Sequence, residues 1–124
     1  MMINKLNQNK IRTSLFINPN LKDVKLAKKI GSRCIEIHTG KISNKIKNNQ
    51  PYVKDLENIK KCAKLGKLLG LEVHSGHGID YKTAKILSRI KEIEEFNIGH
   101  FIIGESIFDG FKHTIKKFKR IIKS

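Results

Sequence analysis

The chain has 124 residues, 39% of them hydrophobic, which suits one ordinary domain with a core and excludes a compositionally disordered segment. Its 26 Lys and Arg against 11 Asp and Glu give a net charge of +15, which admits nucleic acid, anionic lipid or phosphorylated small molecules as partners. The lysines run from Lys5 to Lys123 without gathering into a patch, among many Asn and Ile. There is no clustered aromatic–basic platform, zinc-finger spacing or RNA-recognition signature, so a basic nucleic-acid-binding domain stands only as an alternative reading. Cys34 and Cys62 are the only cysteines, which fits a reducing, cytoplasmic setting better than a disulfide framework. No apolar run approaches the ~20 residues of a membrane span, and the opening "MMINKLNQNKI" lacks a secretory signal's apolar stretch.

In chain order, "RTSLFI" (12–17) reads as a strand. A helix follows over "NPNLKDVKLAKKIG": Asn18 can cap it, Pro19 suits its first turn, Leu21, Val24 and Ala27 share a face, and Gly31 ends it. "RCIEIH" (33–38) is a second strand, and "TGKISNKIKNNQP" (39–51) reads as a long polar loop of functional length. "YVKDLENIKKCAKLGKLLG" is a strong helix with Val53, Leu56, Ile59, Ala63 and Leu68 on its apolar side. "LEVHS" is the third strand, and "IDYKTAKILSRIKEI" a third helix with Asp80 as cap. "FNIG" (96–99) is the fourth strand. A short helix near "FIIGESIF" and a final one striped by Phe111, Ile115, Phe118 and Ile122 close the chain.

Four strand–helix units in succession predict an α/β fold with a parallel sheet. Two architectures compete: a small open doubly wound sheet, or half of a (β/α)8 barrel, whose full form needs ~250 residues. No glycine-rich dinucleotide fingerprint follows any strand, which weakens the nucleotide-binding version of the open sheet.

Strand side chains alternate between faces. Ile35 and Ile37 suit the helix layer, which turns Cys34, Glu36 and His38 inward; Leu71 and Val73 likewise turn His74 inward. Every strand after the first ends with His or Gly-His, in "EIHTG", "HSGHG" and "NIGH". Parallel strands put all these ends on one side, where ligands bind in both architectures. His77, flanked by Gly76 and Gly78, stands where bare backbone lets a ligand approach. Gly99 and His100 precede a short helix, a place for an anion on backbone N–H groups. A lone strand His is more often a satisfied core or rim group, and that reading holds for His38; Cys34 reads as a small apolar filler. Glu36, His38, His74, His77 and His100 are all metal-ligand types, but their spacing matches no tight zinc motif, so no metal is assigned.

The stretches "SLFINP", "IEIHTG", "LEVHSGHGIDY" and "EFNIGHFIIGESIFDG" resemble, in order and spacing, the C-terminal half of pyridoxine 5′-phosphate synthase, from about Arg12 onward. The resemblance implies strands five to eight of a (β/α)8 TIM barrel with their helices, residues 1–11 ending the preceding helix, and a single partial domain over 1–124. It implies condensation of 1-deoxy-D-xylulose 5-phosphate with 3-amino-2-oxopropyl phosphate to pyridoxine 5′-phosphate, phosphate and water, without a cofactor. By the same resemblance His77 is the proton donor and Glu36 stabilises the transition state. Gly78, Gly99 and His100 contact the aminoketone phosphate. The family's first four strands, with the other substrate's site and further acid–base groups, have no counterpart here. Expected partners are therefore phosphorylated small molecules and either a homo-oligomer or a complementary N-terminal half-barrel, with no membrane. A non-catalytic phosphate-binding fragment is the alternative.

Overall fold

The computed structural model describes residues 2–123. Chain order is α1 (Met2–Gln8), β1 (Ser14–Ile17), α2 (Leu21–Lys29), β2 (Cys34–His38), α3 (Gly40–Lys47), α4 (Val53–Leu68), β3 (Glu72–Gly76), α5 (Tyr81–Leu87), β4 (Glu95–Asn97), α6 (His100–Asp109) and α7 (Phe111–Lys123). The four strands are all parallel and lie in the order β1-β2-β3-β4. A doubly wound sheet reverses its strand order at a switch point. Here the order never reverses, as successive units of a (β/α)8 barrel require, so the half-barrel expectation holds.

The alternation of the strands sorts the core. Ile35, Ile37 and Val73 are fully buried beneath the helices. Their partners in the core include Val24 and Ala27 of α2, Ile59, Cys62 and Ala63 of α4, and Ala84 and Leu87 of α5. Gly66 lets α4 approach the sheet, since a Cβ there would lie 2.8 Å from Val73 Cγ2 and 3.1 Å from Ile35 Cδ1. The opposite, inner face carries Cys34, Glu36, His38, Glu72, His74 and Asn97. Barrel interiors are ordinarily filled by Val, Ile and Leu; this one is polar.

Several expected boundaries shift. The cap of α2 is Asn20, whose side chain accepts from the Asp23 N–H, rather than Asn18. Asn20 is the residue with extended backbone just before the first helical turn, so only its oxygen can reach back. On α4 the buried stripe is Ile59, Cys62, Ala63 and Gly66, while Val53 and Leu68 at its ends are exposed. On α2, Leu21 is likewise exposed. The third helix stops at Leu87 and the chain turns, yet Ile90 and Ile93 still reach the core. β4 covers only residues 95–97, because Gly99 already caps α6. In α7, Thr114 and Phe118 are buried and Phe111 is exposed. That helix packs through Phe118 against Tyr81 and Phe101. Phe111 lies two turns earlier on the same stripe, but as the first residue of the helix it stays exposed.

The largest correction concerns residues 39–51, read as a loop. Residues 40–47 form α3, which buries Ile42, Ser43 and Ile46. Their spacing at i and i+4 is a helical stripe of only two apolar residues, too short to stand out among Lys and Asn. Asp55 of α4 fixes α3 in place: Lys45 donates to its carboxylate and Lys41 lies 3.3 Å away. The Lys45 hydrogen bond, more than the opposing effect of burial, holds the Asp55 carboxyl below its ordinary range.

Asp55→Asn should therefore destabilise the chain at neutral pH by about 1–3 kcal/mol. A carboxyl with a lowered folded-state pKa adds stability above its unfolded pKa of about 3.9 and loses it as pH falls through the folded value. Urea denaturation should show the gap between parent and variant fully open at pH 7 and closing below about pH 4.

Candidate active site

The strand ends converge on a cavity of about 780 Å³, within the ordinary range of small-molecule sites, about 300–1,000 Å³. His38, His77, Gly78, Gly99 and His100 all line it, joined by Lys41, Asn44 and Lys47 of α3 and by Asn97. His38 ends β2, His77 follows β3, and Gly99-His100 opens α6. Four of the five residues singled out from the sequence thus share one cavity. Glu36 does not line it. It lies one layer deeper, where Asn97 Nδ2 donates to Glu36 Oε2 at 2.7 Å. A Cβ on Gly76 would collide with the Glu36 carboxylate, so the bare strand residue is what lets Glu36 lie across β3.

His77 is the most constrained member. Its φ is +78°, in the left-handed region that a non-glycine residue enters at a cost of order 1–3 kcal/mol. Gly78 follows at φ +74°, so the chain makes a left-handed pair just past the sheet. Thr39 holds this turn. Its hydroxyl lies 2.6 Å from the Gly76 carbonyl and 2.9 Å from the His77 carbonyl, so its single proton is shared between them, and its backbone N–H also donates to Gly76. Ser43 in turn donates to the Thr39 carbonyl at 2.8 Å. The His77 ring stacks on His38, with centroids 4.9 Å apart, and Phe16 meets His38 edge-on at 5.0 Å. Gly40 makes room for both rings: a Cβ there would lie 2.7 Å from His77 Cδ2 and 2.8 Å from His38 Cε1.

His74 does not join this group. It is buried on the inner face with Nε2 3.0 Å from Glu72 Oε1, pointing toward the strand starts. The five metal-ligand types weighed from the sequence therefore do not form one constellation. Sequence reasoning missed Asn97, Thr39 and the lysines of α3. Asn97 was visible within "NIGH", but nothing in the sequence shows that its amide reaches across to Glu36. Thr39 looked like a loop residue because α3 was not recognised.

At α6 the cap residue Gly99 has an ordinary φ of −118°, and a Cβ added there would meet open space. Neither packing nor backbone geometry requires a glycine. No side-chain cap satisfies the first N–H groups of α6, which leaves them available toward the cavity. The arrangement offers an imidazole for proton transfer, a held carboxylate behind it, and a helix start with nearby lysines for an anion.

Strain at His77 can be measured. His77→Gly should unfold within about 1 kcal/mol of the parent or later, because relief of the left-handed φ offsets the lost ring contacts. Thr39→Val should lose about 1–3 kcal/mol, because the hydroxyl proton shared by the Gly76 and His77 carbonyls is removed and only the backbone N–H to Gly76 remains. Thermal and urea denaturation of the two variants give the comparison.

The whole chain, residues 1–124, matches the family model described as Pyridoxal phosphate biosynthesis protein PdxJ. It is 62% identical over 120 residues to the pyridoxine 5'-phosphate synthase of Pelagibacter ubique (strain HTCC1062), covering 97% of this chain and 50% of that protein. It is 43% identical over 120 residues to the protein of the same name in Sulfurihydrogenibium sp. (strain YO3AOP1), covering 97% and 49%. With that of Zymomonas mobilis the identity is 41% over 112 residues, covering 90% and 43%. The chain spans about half the length of the curated relatives it matches.

Proposed function

The chain belongs to the PdxJ family, and on that premise we propose that it is the C-terminal portion of a pyridoxine 5′-phosphate synthase. The reaction is condensation of 1-deoxy-D-xylulose 5-phosphate with 3-amino-2-oxopropyl phosphate, yielding pyridoxine 5′-phosphate, phosphate and water. The observation that carries this reading is the meeting of His77, Gly78, Gly99 and His100 on one cavity at the carboxyl ends of the strands.

In this reading His77 donates the proton. An imidazole is suited to shuttling protons near neutral pH, and the left-handed turn aims its ring into the cavity. Glu36 stabilises positive charge that develops in the ring-closing steps, with Asn97 fixing its position. The aminoketone phosphate sits against Gly78, Gly99 and His100. The open space over Gly99 supports this role, since the fold itself does not ask for a glycine there. Lys41 and Lys47 on the cavity wall add positive charge for phosphorylated substrates. No cofactor enters these steps.

The missing acid–base groups and the second substrate's site belong, in this proposal, to a complementary half-barrel of four further strands. Among the described residues β1 and β4 each pair with a strand on one side only, so both offer an edge for such a half. The working form is a homo-oligomer or a pairing of the two halves, in the cytoplasm. No helix among the described residues is long and apolar enough to cross a membrane.

Pyridoxine 5′-phosphate formation tests the proposal. The chain mixed with a separately made first half should give product, and His77→Ala should abolish it. Gly99→Ala should fold within about 1 kcal/mol of the parent, as expected at a cap position, yet bind the aminoketone phosphate at least about tenfold more weakly. The uncapped start of α6 beside the cavity supports a second reading, a phosphate-binding module without chemistry. It predicts that the aminoketone phosphate protects against unfolding, that His100→Ala removes this protection and that His77→Ala keeps it. Product in the mixture would exclude that second reading.

A further inference from the structure

At the amino-terminal ends of the same strands, away from the cavity, lies a second group of reactive side chains. Cys34 opens β2 and Glu72 opens β3, and the parallel register sets them side by side. His74 stands two residues further along the same face and turns its ring back toward Glu72. Cys34 Sγ is 3.7 Å from Glu72 Oε2, and His74 Nε2 is 3.0 Å from Glu72 Oε1. One ligand atom from each of the three lies within 4.8 Å of the others. Cys34 is 0% and His74 2% exposed, whereas the Glu72 side chain is 34% exposed and leaves a way in.

We propose that Cys34, Glu72 and His74 form a binding site for a divalent, thiolate-binding transition metal of the zinc class. Zinc binds sulfur at about 2.3 Å and nitrogen or oxygen at about 2.0–2.1 Å in a tetrahedron, so donor atoms stand about 3.3–3.5 Å apart. Cys34 Sγ and His74 Nε2 lie 3.7 Å and 3.0 Å from the two different oxygens of the Glu72 carboxylate. One ligand atom of each residue lies within 4.8 Å of the others, so the side chains must rotate and draw together to reach that spacing. Three protein ligands leave a fourth position for water, which the partly open Glu72 side permits. The ring orientation supplies an independent argument. Metal-bound histidines commonly present their other ring nitrogen to a carboxylate. His74 Nδ1 faces Glu95 Oε1 at 3.6 Å while Nε2 points into the group.

Arg12 is the competing cation. Its guanidinium donates to both oxygens of Glu72, at 2.7 and 2.9 Å, and its side chain is 53% exposed, so it can swing aside. A positive group thus already sits on the carboxylate that the metal would use. The cysteine thiol is held protonated by burial, and next by the charge of Glu72; a coordinated metal would convert it to the thiolate. The site does not depend on the proposed synthase activity, because none of its residues lines the cavity.

Cobalt(II), a coloured substitute for zinc, tests it on the full-length chain, with circular dichroism to follow folding. Titration should raise a thiolate-to-cobalt charge-transfer band that zinc abolishes stoichiometrically. Cys34→Ser should remove the band, and His74→Gln should weaken binding at least about tenfold. Arg12→Ala should tighten binding, and Cys62→Ser should change nothing, because Cys62 lies buried on the helix side of the sheet. If Cys34→Ser fails to fold, the His74→Gln and Arg12→Ala affinities decide. No band in either the parent or Arg12→Ala would overturn the site, as would a band lost in Cys62→Ser and kept in Cys34→Ser. In those cases the three residues are a structural network of hydrogen bonds around the Glu72 carboxylate.

Discussion

The parallel pairing of β2 with β3 is the constraint on which everything else rests. Cys34 stands against Glu72, Ile35 against Val73, Glu36 against His74, Ile37 against Ser75 and His38 against Gly76. A slip of one residue would carry Ile35, Ile37 and Val73 out of the helix layer and drive the carboxylates into it. Burial of a Val, Leu or Ile side chain is worth about 1.5–3 kcal/mol, so the register is held mainly from the outer face. The polar inner face is then a consequence. It stacks chemistry in layers along the strands: Cys34 and Glu72 at the start, Glu36 and His74 in the middle, His38 and Asn97 at the end.

Above the sheet, the same register lets Thr39 close on the end of β3. The Thr39 hydroxyl lies between the Gly76 and His77 carbonyls, and its backbone N–H donates to Gly76 as well. The turn would relax if His77 were a glycine, and it is the neighbouring chain that keeps the imidazole there. Gly40, Gly76 and Gly78 serve this one assembly, each for a different reason. Gly40 admits the paired rings, Gly76 admits the Glu36 carboxylate, and Gly78 completes the turn. Gly99 is the exception, since the fold leaves the space over it empty.

The two polar groups of the inner face answer to different demands. The upper one opens onto a cavity with lysines on its wall, which suits anionic ligands. The lower one gathers a thiol, a carboxylate and an imidazole around a displaceable guanidinium, which suits a cation. The edges of β1 and β4 bound both. The chain spans only about half of its relatives' length.

The sequence by itself determined the order of strands and main helices, because their apolar periods are long and clear over residues 53–68 and strict over 34–38. It also determined the strand-end histidines and glycines, because a parallel sheet brings all carboxyl ends to one side. It did not reveal α3, whose two buried isoleucines carry too little periodic signal and whose placement rests on Asp55, several residues beyond the helix. It did not reveal that Asn97 holds Glu36, 61 residues away, nor that His74 turns from the cavity toward Glu72. Side-chain direction within a face, and contacts between residues distant in the chain, are set by register and packing. Those properties belong to the folded sheet, so only the tertiary structure decided them.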